Sequence, residues 1–418
     1  MHFAMKIFRT KDSKSMRPRR RQIALGLTWG LTVALLCILY LYLLHFETLF
    51  HFTQPLFERA QYDVDRRIPN LGFPSLASRR GYAYLEGLLN ATAAAIEPDP
   101  EATARACALY GLKALPRRRR VFDVFTFDNE FAMLEMRMHE LADVVQLHIV
   151  VEADRTFSGL HKPLRLHEAL AGLQQEAVGD FGKWMTPKLV SRLHPIALSS
   201  NQFASKASPW DVEHKHRDAF YKGLKDAGAQ PDDLVLVTDA DEIPRASTVE
   251  LLASCRWDHG HFPAALLARF NYFSYEWVSP GRSWLGATVV LYGEDMHLQH
   301  GGGKTHFEDG SWHCSWCLPT IADVQHKIES YSHTEHNKPQ FRDPEHIQAA
   351  LCNGKDLFNR YPEVTTWSEL WNAPFDGSFL RQTSVVGAPQ YFIDHMHEPR
   401  FSHLLPGHCV RKDYNSYS

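Results

Sequence analysis

Leu234-Val235-Leu236-Val237-Thr238-Asp239-Ala240-Asp241-Glu242-Ile243-Pro244 sets an apolar run against two aspartates one residue apart, a third acid and a proline. The Val- and Leu-rich run reads as a buried strand. Pro244 works against continued sheet pairing. In open α/β sheets, ligands bind just beyond the carboxyl ends of strands, where these acids fall. If the chain stays extended past Thr238, side chains at spacing two share a face. Asp239 and Asp241 can then share one hard cation, Mg2+ or Mn2+, held by carboxylates and substrate phosphates. The same acids also read as a solvated loop, or as caps on the next helix.

Upstream, strand and helix patterns alternate. Val121–Phe127 and Val144–Val151 read as strands, and Arg192–Leu198 as a third. Between them, Phe131, Leu134, Met138 and Leu141 recur at helical spacing, and Leu164–Leu173 is a second helix. Ser208-Pro209 opens a helix running to about Ala227, with the proline suited to its first turn. This alternation predicts an α/β domain with a mainly parallel sheet and helices on both faces.

The chain has 418 residues, 44% hydrophobic and 22% charged, as in ordinary globular proteins. A net charge of −3 excludes the global basic field of a nucleic-acid binder. Charge is local instead. Residues 1–22 carry Lys6, Arg9, Lys11, Lys14, Arg17, Arg19, Arg20 and Arg21 against one acid, Asp12. Ile23–Leu44 is uncharged and long enough to span a bilayer as a helix. The basic flank places the N-terminus in the cytoplasm and the rest across the membrane. No small-x-small cleavage site follows, so the reading is an uncleaved signal anchor rather than a signal peptide. Asn90-Ala91-Thr92 is a glycosylation sequon on the translocated side. Cys37 falls in the span, and Cys107, Cys255, Cys314, Cys317, Cys352 and Cys409 suffice for up to three disulfides. The expected layout is a cytoplasmic tail over 1–22, a signal anchor over 23–44, a lumenal stem over 45–116, a catalytic domain over 117–408 and a tail over 409–418. The Pro116–Arg120 run at the boundary reads as a solvated edge or as a cleavage site for a basic-specific protease.

Further patches share one pattern. They are Phe125–Glu130 with Leu134–Leu141, Val150–Glu152, Thr156–Gly159, Lys162–Leu164, Thr238–Pro244, Trp312-His313-Cys314-Ser315-Trp316-Cys317, Pro389–Tyr391 and Phe401–Leu405. In this order they resemble glycosyltransferase family 17 from about residue 121 to 406. The resemblance implies a GT-A-like, Rossmann-related domain behind a membrane anchor and stem, in a single-pass type II protein of the Golgi membrane. It implies inverting transfer of N-acetylglucosamine from UDP-N-acetylglucosamine to a mannose residue of an N-glycan or related glycoconjugate, in β-1,4 linkage. The alternatives are another sugar-nucleotide donor or acceptor, or a catalytically inactive, membrane-anchored glycan-binding protein.

Such chemistry needs a counter-charge for a departing diphosphate, which a divalent cation on Asp239 and Asp241 supplies. It also needs a base for the acceptor hydroxyl. The catalytic candidates are Glu152, which follows a strand into the same crevice, Glu242 and His313; Glu152 and Glu242 read equally as capping carboxylates, and His313 as a third metal ligand, a phosphate contact or a satisfied core histidine. Glu213 and Arg217, four apart, share a helix face and either pair or let the guanidinium meet the diphosphate. Lys162 is a second phosphate candidate. Tyr272, from an aromatic group at Asn271–Trp277, and Trp312 are candidates for sugar contacts, though core packing also explains aromatics. Cys314 and Cys317 read as a zinc pair, a redox pair or structural disulfides. In the family setting they are disulfide candidates, each expected to bond a distant cysteine, because a longer closed loop restricts the unfolded chain more.

Overall fold

The computed structural model describes residues 100–174, 179–204, 207–279, 284–293, 296–298, 301–360, 380–381, 385 and 387–411. The chain divides into two compact units, residues 1–64 and 65–418, and every described residue lies in the second.

Among the described residues ten strands build one sheet: β1 (Val121–Thr126), β2 (Leu147–Ala153), β3 (Leu193–Leu198), β4 (Leu234–Val237), β5 (Glu242–Pro244), β6 (Ala264–Tyr272), β7 (Ser274–Val278), β8 (Trp284–Leu291), β9 (Thr305–Ser315) and β10 (Leu380–Arg381). Their spatial order is β10-β7-β6-β8-β4-β1-β2-β3, with β9 paired to β5 and β6. β3, β2, β1 and β4 are parallel. β8 then joins β4 antiparallel, and β6, β7 and β10 continue antiparallel. β9 lies parallel to β6 and antiparallel to β5.

The expected mainly parallel sheet is therefore corrected to a mixed one. Parallel neighbours need a long crossover, usually a helix, whereas antiparallel neighbours need only a short turn. Helices separate the first four strands. No helix of the α type lies between β6 and β9 among the described residues, and β6 through β8 pair as antiparallel neighbours.

The inner parallel strands β1, β2 and β4 are mostly apolar and buried because both their faces are covered. Helix α1 (Phe131–Glu140) covers one face, where Leu134 and Met138 pack with Phe125 and Val150. Helix α2 (Pro209–Asp226) covers the other, where Phe220 and Leu224 pack with Phe122, Val124 and Ile149. Ser208 caps α2 through a reciprocal pair with Asp211, and Pro209 fills the first turn. The helix sits so close to the sheet that a Cβ at Gly223 would lie 2.5 Å from an Ile149 methyl.

The membrane helix expected over residues 23–44 is not supported. Among the described residues no helix is long and apolar enough to cross a membrane, and residues 23–44, with Asn90, lie outside those described.

Three disulfides form: Cys107–Cys255, Cys314–Cys317 and Cys352–Cys409. Cys314 and Cys317 thus bond each other, not distant partners. Trp316 takes a left-handed backbone, φ +60°, which reverses the chain at the end of β9 and brings the two Cα atoms to 5.5 Å. The basic run is built into the body. Arg118 pairs with Glu250, Arg119 donates to the Leu252 and Cys255 carbonyls, and Arg120 pairs with Asp233.

Candidate active site

β4 ends at Val237, and Thr238–Asp241 turns the chain into β5 beyond the carboxyl end of the parallel strands. A buried arginine braces this turn from beneath. Arg137 of α1 forks onto Asp123 of β1 at 2.5 and 2.7 Å. It also donates to the Asp239 carbonyl at 3.0 Å, the Glu242 carbonyl at 2.6 Å and the Thr238 hydroxyl. His148 of β2 shares Asp123 Oδ2 with Arg137, its Nδ1 lying 2.7 Å away. Burial raises the Asp123 carboxyl, but Arg137 and then His148 outweigh it and bring the group down to about 2. The acid turn therefore rests on a pre-ordered charged clamp rather than on a free loop.

The two aspartates face different partners. The Asp239 side chain is 37% exposed, against 11% for Asp241. Asp239 Oδ1 accepts from Arg217 Nη2 at 2.7 Å, and Arg217 also pairs with Glu213 at 3.2 Å. Arg217 thus makes the expected intrahelical pair and, beyond it, a bond to the acid turn. Glu213 in turn accepts from the Ser332 hydroxyl at 2.5 Å. Arg217 Nη1 is buried and makes no hydrogen bond among the described residues. Such an orphaned donor is costly unless a ligand meets it. Asp241 Oδ2 accepts from Lys327 Nζ at 2.9 Å, and its Oδ1 lies 3.6 Å from His313 Nε2. Burial would raise the Asp241 carboxyl; Lys327, then His313, hold it well below the usual carboxylate range.

Around this pair a second ring of charge continues. Glu130 Oε1 lies 3.7 Å from Lys327 Nζ, and its other oxygen accepts the Asp128 and Asn129 amides. Burial lifts the Glu130 carboxyl above its ordinary value; Lys327 opposes the lift, and Asp128 and Asp241 add to it. Asp128 accepts from His326 at 2.9 Å and lies 3.2 Å from Lys162 Nζ. The buried Lys162 ammonium is thus ion-paired with Asp128, which leaves two of its three N–H groups for other acceptors. The linked carboxylates are Asp128, Glu130, Glu213, Asp239 and Asp241; the permanent cations are Lys162, Arg217 and Lys327. Acids outnumber cations, so an incoming diphosphate needs further positive charge.

The remaining candidates fall into place as supports. Glu152 caps the helix Arg165–Gln174: one oxygen accepts the Leu166 amide at 3.1 Å, the other the His167 amide at 2.8 Å and the His167 ring at 2.5 Å. Glu242 closes the acid turn, accepting from the Asp239 amide at 3.0 Å and from Trp284 Nε1 at 2.6 Å. His313 sits opposite Glu242 on β9, its ring against both Phe270 and Trp284 at centroid distances of 5.0 and 4.7 Å. His313 Nδ1 is buried and makes no hydrogen bond among the described residues. Tyr272 is a core residue whose hydroxyl reaches Asp356 at 3.4 Å. Trp312 is likewise core, donating to the Gly387 carbonyl at 2.7 Å beneath the Arg245 guanidinium. The tryptophan–cysteine segment still reaches the site, because the Cys314 amide donates to the Asp241 carbonyl at 3.1 Å.

Arg137, Asp128, Glu130, His326 and Lys327 escaped the reading of the sequence. The first three lay in the quoted motif near residue 130, and their acid–base pattern was a usable signal. Lys327 lies 86 residues from Asp241 with no local mark.

The oxygen donors of Asp239 and Asp241 suit a hard cation, and the orphaned Arg217 Nη1, with Lys162 beside Asp128, suits phosphate oxygens. Among the described residues no group of three or more His, Cys, Asp or Glu gathers as an all-protein cage. Mg2+ commonly takes one or two carboxylates plus substrate phosphates, so the pair fits that mode.

Comparison with known proteins bears on the family of the chain. Residues 96–412 match the family model described as glycosyltransferase family 17. Over 241 residues the chain is 26% identical to the beta-1,4-mannosyl-glycoprotein 4-beta-N-acetylglucosaminyltransferase of Homo sapiens, covering 49% of this chain and 42% of that protein. The Rattus norvegicus protein of the same name is 26% identical and the Mus musculus one 25%, each with the same coverage. The chain thus spans less than half the length of these relatives. The family match, over most of the chain, decides the assignment: this chain belongs to glycosyltransferase family 17.

Proposed function

We propose that the chain transfers N-acetylglucosamine from UDP-N-acetylglucosamine to a mannose-bearing glycan of a glycoprotein. The observation that carries this reading is Arg217, which grips Asp239 at 2.7 Å while a buried Nη1 is left for a ligand. A guanidinium fork suits a phosphate oxygen, and its position on α2 aims it at the same crevice as the acid turn. Lys162, buried beside Asp128, is the second donor on hand. Asp239 and Asp241 would hold a divalent cation. When bound, that cation neutralises charge growing on the departing diphosphate and acts as Lewis acid.

The chain's own residues position the rest. Arg137 and Glu242 fix the acid turn, and Arg217 orients the diphosphate. Glu152 is committed to the helix it caps, and Glu242 to the Asp239 amide and the Trp284 indole, so neither serves as acceptor base. Of the three base candidates, His313 keeps a ring nitrogen for a proton. The membrane-anchored, Golgi-resident layout is no part of this reading.

The test is to incubate the full-length chain with Mn2+ and UDP-N-acetylglucosamine, UDP-glucose or GDP-mannose in turn. The acceptor is a mannose-containing N-glycopeptide, read by mass spectrometry. The expected product gains one N-acetylhexosamine from the first donor alone. Transfer from another donor would change the substrate. Neither transfer nor donor hydrolysis with any of them would overturn the reading.

A further inference from the structure

Lys327 has two carboxylates within reach and is bonded to one. Its ammonium touches Asp241 Oδ2 at 2.9 Å and stands 3.7 Å from Glu130 Oε1. It is carried on the helix Ile321–Ser330, whose first turn is capped by Thr320 just beyond the Cys314–Cys317 wall. The ammonium also lies 5.6 Å from the centre of the Trp316 ring, a face that attracts a cation without fixing its place along the ring. The other Asp241 oxygen faces His313. As drawn, Asp241 is enclosed by nitrogen and the more exposed Asp239 is the entry to the pair.

This arrangement constrains any cation. A divalent ion sits about 2.1 Å from a carboxylate oxygen. An ammonium 2.9 Å from that same oxygen would then press a like charge against the ion in a poorly hydrated site. The long lysine stem resolves the conflict with a short swing, since Glu130 already waits less than an ångström further off than Asp241. Resting on the reading above, we propose that Lys327 and a divalent cation are alternative partners of Asp241, and that loading the cation moves Lys327 onto Glu130. In this role Lys327 is a positioning residue. It keeps Asp241 paired while the site is empty and hands the carboxylate over when cation and nucleotide arrive together.

Titration of the full-length chain with Mn2+, followed by loss of the free-ion paramagnetic resonance signal, reads this without catalysis. Without nucleotide, Lys327→Gln is expected to bind Mn2+ about tenfold more tightly than the wild type, a coupling of ordinary size. Lys327→Arg, whose fork grips a carboxylate more firmly, should bind it more weakly. Glu130→Gln removes the second resting place. It should weaken Mn2+ in the wild-type background and change it much less in the Lys327→Gln background. If Lys327→Gln does not fold, as judged by its thermal transition, the Lys327→Arg and Glu130→Gln titrations carry the same test. Wild-type Mn2+ affinity in all the variants, or weaker binding in Lys327→Gln, overturns the proposal. Addition of UDP separates the two layers. UDP that tightens Mn2+ in the wild type upholds the donor site even where Lys327 proves indifferent. UDP without effect on Mn2+ in any variant overturns the donor site as well.

Discussion

Glu152 and Glu242 illustrate how burial reassigns a residue whose sequence position points to chemistry. Glu152 lies near the end of β2 and Glu242 follows β4, as a catalytic carboxylate would, yet Glu152 spends its oxygens on the helix it caps and Glu242 on the Asp239 amide and the Trp284 indole. Glu152→Gln is therefore expected to cost about 2 kcal/mol of stability, the range for a buried hydrogen bond to a charged group. Transfer per folded molecule should stay within a few-fold of wild type. Urea unfolding beside an assay normalised to folded protein checks this, and a large loss of rate at full stability would restore Glu152 to the chemistry. Arg217 makes the opposite case. Arg217→Lys keeps the charge and loses the fork that bridges Glu213, Asp239 and the ligand, so UDP binding should weaken about tenfold, equal to about 1.4 kcal/mol. Calorimetry with UDP measures it. At this scale the sequence was readable where chemistry is local. Two aspartates at spacing two and a Glu–Arg pair at spacing four announce themselves. Lys327 does not, because only the folded chain brings its helix to Asp241.

Elements explain which larger features were legible. The first four strands and their helices follow apolar periodicity, and their observed bounds fall within a few residues of those read from the pattern. The second half did not yield, because antiparallel strands joined by short turns leave no helical punctuation to mark their direction. The cysteines failed for a related reason. Loop-length reasoning favoured distant partners for Cys314 and Cys317, but a local reversal at Trp316 decides the pairing. The same reasoning still ranks the bonds by effect. Cys107–Cys255 spans 148 residues and Cys314–Cys317 only 3. In the chain-entropy model, losing the first costs about 5 kcal/mol and losing the second about 1.6 kcal/mol. Paired Cys→Ser variants compared by denaturant midpoint should keep that order, and the reverse order would show that strain or local packing governs instead.

For the molecule as a whole, buried histidines set the acid response. Burial, followed by Arg411, lowers His403 to about 3; burial, with Lys162 and Arg217, lowers His216 to about 4. The unfolded value is about 6.5. Between the folded and unfolded values the unfolded chain binds more protons, so this stability is present above about pH 6.5 and is lost as pH falls. The loss approaches about 1.4 kcal/mol per pH unit for each group. His326 works the other way. Asp128 raises it, so its contribution is present at low pH and is lost as pH rises through its folded value. His139, lowered to about 4 by burial and then His395, adds to the first two, and these three lowered groups outnumber His326. The urea midpoint is therefore expected to fall from pH 6.5 to 4.5, and less steeply in His403→Gln. A midpoint that rises on acidification would reverse the assignment. Of the whole-chain layout, the family and the α/β class were legible because motifs and periodicity persist through folding. The orientation of the later strands was not, and the membrane helix drew no support from the described residues.

The most direct test of the central claim is the rate of N-acetylglucosamine transfer by Asp239→Asn against wild type, with thermal unfolding measured on the same samples. The side chain keeps its shape, its contact with Arg217 weakens, and its charge toward the diphosphate site is gone. A fall of at least about a hundredfold, equivalent to about 2.7 kcal/mol in the barrier, with the folded state intact, is the predicted result. Transfer at near-wild-type rate by a folded Asp239→Asn chain would contradict the placement of the donor site at this turn.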